Sequence, residues 1–86
     1  MITSEQIRAA RAILRMTVVD LSIASNVGVA TIKRIEAGNG IPPAHAKTID
    51  QITQAMNLAG VEFVGTPHDS PGVRLAKKYS ILRNEP

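Results

Sequence analysis

No cysteine occurs anywhere in the 86 residues. That absence excludes disulfides, thiolate catalysis and cysteine-based zinc sites. Tryptophan is missing too, and Phe63 and Tyr79 are the only aromatic residues, so the core must be aliphatic. Binding of single-stranded nucleic acid by base stacking, which needs aromatic platforms, finds little support in such a chain. His45 and His68 are the only imidazoles and stand in no metal-ligand spacing, so neither a metal nor another cofactor is expected. No apolar run approaches the roughly 18 residues of a membrane span. The opening MITSEQIRAA reads as a helix start with a carboxylate, not as a signal peptide, and a cytoplasmic protein with no membrane partner is expected.

What is present suits one small globular domain. The hydrophobic fraction of 44% is too high for a disordered chain. The net charge of +3 leans towards a polyanionic partner. A domain of this size buries a modest core, so a second copy is a natural source of further buried surface. There is no internal repeat and no low-complexity segment.

The periodicity predicts a mainly α fold of four helices followed by a short β-hairpin or dimerising strand. The first helix runs over about 4–15, with Thr3 as its cap and Gln6 completing a capping box. Its apolar stripe is Ile7, Ala10 and Leu14, with Arg11 inside it, while Arg8 and Arg15 fall outside and read as solvated. Thr17 caps a short second helix, with Asp20 near its positive end and Met16 placed to staple onto Leu21. Asn26 suits a tight left-handed turn. A third helix spans about 29–36 with Ile32 and Ile35 inward, and Ala37-Gly38-Asn39-Gly40 ends it. Ile41-Pro42-Pro43 is an extended link. A fourth helix covers about 44–58 with Ile49, Ile52 and Met56 inward, and Gly60 closes it. Val61–Val64 alternates like a strand, 65–72 reads as a loop with two prolines, and Val73–Ala76 is a second strand. The division is therefore 1–60 for the helical domain, 61–76 for a strand pair, and 77–86 for a disordered tail.

Two short helices joined by a turn of three or four residues make a helix-turn-helix unit, here TVVDLSIASNVGVATIKRIEAG at 17–38. The chain from Gln6 to Gly38 resembles the Cro/repressor-type, or XRE-type, helix-turn-helix family. TIKRIEAG at 31–38 is close to that family's end of the recognition helix. AGVEFV at 59–64 and PGVRL at 71–75 look like the tail of a bacterial subgroup of small regulators. The resemblance implies a structural ion pair between Arg11 and Glu36. It implies double-stranded DNA as partner, with bases read in the major groove by Val29, Ala30, Lys33 and Arg34. Phosphate contacts are expected around Thr17, Val18, Gly28, Asn39, Gly40 and Lys47. Val18 stands where the family often has glutamine, and Gly28 where serine or threonine usually caps the recognition helix, so both remove polar contacts.

A homodimeric repressor at a palindromic operator is the resulting expectation, with Val61, Phe63, Val64, Val73 and Leu75 as dimerising residues. An alternative is an antitoxin-type protein that holds a toxin through its C-terminal segment and represses its own operon. His68-Asp69-Ser70 has the letters of a hydrolase triad. Consecutive residues do not converge as a triad must, so no enzyme is expected.

Overall fold

The computed structural model describes residues 1–76, and the tail expected over 77–86 lies outside the described residues. Its order is α1 (Ser4–Leu14), α2 (Val18–Ser25), α3 (Val29–Ala37), α4 (Ala46–Ala59), β1 (Val61–Thr66) and β2 (Asp69–Leu75).

The caps follow from local chemistry. Before α1, the Gln6 N–H donates to Thr3 Oγ1 at 3.1 Å and the Thr3 N–H donates to Gln6 Oε1 at 2.9 Å. Before α2 the same reciprocal box forms between Thr17 and Asp20 at 3.0 and 2.9 Å. Each box satisfies amides that the first helical turn would otherwise leave without a partner. Asn26 ends α2 at φ 59°, and Gly60 ends α4 at φ 108°. The fourth helix begins at Ala46, two residues later than the periodicity suggests, because Pro43 and Ala44 stay in the bent link and His45 becomes the cap.

Ile7, Ala10 and Leu14 of α1, Leu21 of α2, Ile32 and Ile35 of α3, Ile52, Ala55 and Met56 of α4, and Val61 of β1 share one buried core. α1 packs on α3, α4 and both strands, while α2 packs on α3 and α4. Full burial of such aliphatic side chains contributes about 1.5–3 kcal/mol each, which is how so short a chain holds its helices together.

The hairpin is longer than its hydrophobic alternation indicates. Thr66 pairs with Asp69 across a two-residue turn, so most of the expected 65–72 loop is strand. Between Val64 and Thr66 the register shifts: Gly65, at φ +75°, opposes both Ser70 and Pro71. A proline, which has no amide to donate, fits at such a bulge. Phe63, Val73 and Leu75 pack inward on the core, while Glu62 and Arg74 form an exposed cross-strand ion pair. Gln6 joins the hairpin to α1, since its Nε2 donates to the carbonyls of Val64 (3.0 Å) and Gly72 (2.9 Å).

Candidate nucleic-acid interface

α3 divides by burial. Ile32, Ile35 and Glu36 are buried, whereas Ala30, Lys33 and Arg34 are exposed and Val29 is half-buried. Among the described residues, Lys33 and Arg34 form no ion pair or hydrogen bond, so their cationic groups remain available. Gly28 supplies no side-chain cap, which leaves the first amides of α3 open. The turn before it is braced internally. Ser25 Oγ donates to the Leu21 carbonyl at 2.7 Å and accepts the Val27 N–H at 3.2 Å. Gln51 of α4 donates to the Ser25 carbonyl at 3.3 Å. The apolar pattern contains no sign of this bracing; a serine one position before a left-handed asparagine is the one local hint.

The far end of α3 is held by α1. The Arg11 guanidinium donates to the Glu36 carboxylate through Nε (3.0 Å to Oε2) and Nη2 (2.8 Å to Oε1). This pair keeps the arginine cation favoured, because the carboxylate contact outweighs the penalty of partial burial. Nη1 of the same group donates to the Met16 carbonyl at 3.1 Å. One side chain therefore ties α1, the turn into α2 and the end of α3.

Arg8 is not the solvated residue that its place outside the stripe suggests. It is half-buried, and its Nη1 donates to the carbonyls of Glu36 and Gly38, the latter at 2.7 Å. A cation there is favourable because the end of a helix carries partial negative charge. Ser4 Oγ donates to the Ile35 carbonyl at 2.6 Å, and the Ser4 N–H donates to the Gly40 carbonyl at 2.8 Å.

This strap corrects one expected phosphate contact. The Gly40 N–H already donates to Glu5 Oε1 at 2.8 Å. That bond, first among its causes, holds the Glu5 carboxyl below its ordinary value. Gly40 thus has no free amide for a phosphate, and the carboxylate beside it would repel one. Asn39 next to it is exposed. At the start of α2, the Thr17 hydroxyl oxygen accepts the Asp20 amide, and Val18 is half-buried without a side-chain polar atom. Lys47 is exposed in the first turn of α4.

Thr31 and Arg34 of α3 face Pro43, Ala44, His45 and Thr48 across an open recess of about 320 Å³. His45 caps α4 through its backbone alone, with no side-chain hydrogen bond. The recess thus joins two hydroxyls, an imidazole and a guanidinium at the meeting point of α3 and α4. The role of Thr31 and Thr48 there is not legible in a linear pattern, because it needs the fold-back through Pro42-Pro43.

Most of the expected dimerising residues pack against the domain's own core. Val61 is fully buried inside its own domain, and Phe63, Val73 and Leu75 turn their side chains onto the same core. They hold the hairpin down on the helices, while Phe63, Val73 and Leu75 each keep part of their surface exposed. The hairpin also offers backbone. The Ala76 N–H donates to the Gly60 carbonyl at 2.6 Å, so by alternation Glu62 and Arg74 form the next hydrogen-bonded pair. The amides of Phe63 and Val73 then point away from the ladder along its two edges. Val64 lies on the outer face against Gly72.

His68, Asp69 and Ser70 are all exposed at the hairpin tip, and Ser70 Oγ donates to Asp69 Oδ1 at 3.4 Å rather than to the imidazole. No helix of the described residues is long and apolar enough to cross a membrane. No protein-family model and no curated protein sequence matches the chain.

Proposed function

We propose that this protein is a Cro/repressor-type helix-turn-helix regulator. It binds double-stranded DNA as a homodimer and represses transcription by occupying a palindromic operator, in the cytoplasm and without catalytic activity. The observation that carries this reading is the exposed outer face of α3, where Ala30, Lys33 and Arg34 stand free while Ile32, Ile35 and Glu36 anchor the helix beneath them.

The chemistry fits the groove. A guanidinium such as that of Arg34 can donate two parallel hydrogen bonds to guanine O6 and N7, discriminating by about 1–3 kcal/mol. Lys33 reaches a base or a phosphate, and Val29 and Ala30 suit a thymine methyl. Thr17, Asn39 and Lys47 remain as phosphate contacts, together with the open amides following Gly28. Two protomers would read half-sites about 10–10.5 base pairs apart. With roughly six phosphates neutralised per dimer, log K falls against log salt with a slope near −5.

A second reading is favoured by the hairpin's two edges, neither of which pairs with another strand among the described residues. An antitoxin-type protein would add a strand of its toxin to one of them. In the first reading that edge pairs with a second copy. Sedimentation of the pure protein separates the two, since a homodimer on its own supports the first and a monomer that dimerises with nothing but a co-expressed neighbour supports the second. The DNA reading itself is tested by selecting bound sequences from random duplexes. An enriched two-fold site supports it, and recovery without enrichment contradicts it.

A further inference from the structure

Arg15 holds an unusual position. It is the C-cap of α1 at φ 56°, ψ 35°, a left-handed conformation that glycine adopts freely and a long side chain does not. Of the other described non-glycine residues at positive φ, Asn26 tolerates this region by chemistry and Ser70 lies at the hairpin bulge. The arginine gains nothing for its side chain within the domain. That side chain is exposed and, among the described residues, forms no hydrogen bond or ion pair. The cap itself is made by backbone alone, through its N–H to the Ala12 carbonyl at 3.1 Å, which glycine would make equally well.

Its surroundings give the side chain a use. Arg11 clamps the neighbouring Met16 carbonyl and the Glu36 carboxylate together, so the turn carrying Arg15 is fixed relative to α3. In a helix-turn-helix the first helix of the motif crosses the DNA backbone while the second lies in the major groove. The turn entering α2 is therefore on the phosphate side of the complex. Two further charged groups meet this turn: the Arg11 guanidinium, already paired with Glu36, and the exposed carboxylate of Asp20, which accepts the Thr17 N–H at 2.9 Å. Left alone, the Asp20 carboxylate would repel a phosphate at that place.

We propose that Arg15 is a DNA-backbone contact that neutralises one phosphate per protomer beside the Asp20 carboxylate. This rests on the DNA reading above. A phosphate contact acts on every sequence alike, so the test needs no operator.

The experiment measures binding of the full chain to a short duplex of arbitrary sequence across a salt series, with thermal stability recorded alongside. Arg15→Gly relieves the left-handed strain, so its melting temperature should equal or exceed the parent's. Its binding should weaken, and the slope of log K against log salt should become shallower by about 0.9 per protomer. Arg15→Lys should keep the parent slope. Asp69→Asn, which changes charge by one at the hairpin tip, should also leave the slope unchanged. Parental affinity and slope for Arg15→Gly overturn the proposal. So does an equal shift in slope from Asp69→Asn, which would make the effect one of net charge, and so does a loss of stability accompanying the loss of binding. If the parent binds no duplex at low salt, the DNA reading falls and this proposal with it; that outcome is distinct from a parent that binds and a variant that binds as well.

Discussion

The Arg11 guanidinium grips the Glu36 carboxylate at 2.8 Å across 25 residues of sequence, and only 7% of the Glu36 side chain is exposed. This contact fixes α3 to α1. Arg11→Met should destabilise the fold by about 3–5 kcal/mol, because Glu36 is left as a nearly buried charge with no partner. The double variant Arg11→Met, Glu36→Leu should recover most of that loss, since an apolar pair removes the stranded charge. Urea denaturation of parent, single and double variants measures both. A single variant as stable as the parent would show that the pair contributes nothing to the fold.

Gly65 admits no side chain. At φ +75° a β-carbon would sit 2.1 Å from the Ser70 carbonyl oxygen, which is backbone and cannot swing away. Gly65→Ala should therefore open the bulge and destabilise by more than about 1 kcal/mol. Amide exchange should accelerate in 61–75 ahead of the helices. Uniform acceleration throughout would mean that the hairpin does not open by itself.

Glu5 provides a pH signature. Its carboxyl lies below the ordinary 4.5 in the folded state, chiefly because it accepts the Gly40 N–H. A lowered folded value means that the unfolded state takes up the proton first. The stabilisation is therefore complete above pH 4.5 and fades as pH falls through the lower folded value. Glu5→Gln keeps an acceptor oxygen but has no charge to titrate. The stability difference between parent and Glu5→Gln should be constant above pH 4.5 and should change below it, and the Gly40 amide shift should titrate in the parent alone.

Much of the fold was legible because its signals are local. Thr3 with Gln6, Thr17 with Asp20, and Asn26 and Gly60 in left-handed turns each declare a helix end within four residues of chain. The strap from Ser4, Glu5 and Arg8 to the backbone of 35–40 was not legible, because its partners are carbonyls and amides whose availability depends on where α3 stops. For the same reason Gly40 looked open and Arg8 looked solvated. The use of the hairpin's apolar face was not legible either. Alternation identifies the apolar side of Val61, Phe63, Val73 and Leu75, but it does not say whether that side meets its own core or a second copy. Ala30, Lys33 and Arg34 were read correctly as exposed, since Ile32 and Ile35 fix which side turns inward, whereas Val29 is half-buried.

The most direct measurement is the equilibrium binding of the parent, Lys33→Ala and Arg34→Ala to the duplex enriched by selection and to a scrambled duplex of the same length. The account predicts that the parent prefers the selected duplex. Arg34→Ala should lose about 1–3 kcal/mol of that preference at one base pair in each half-site while retaining its binding to scrambled DNA. If both variants discriminate between the two duplexes as the parent does, α3 is not the surface that reads DNA, and the central claim is wrong.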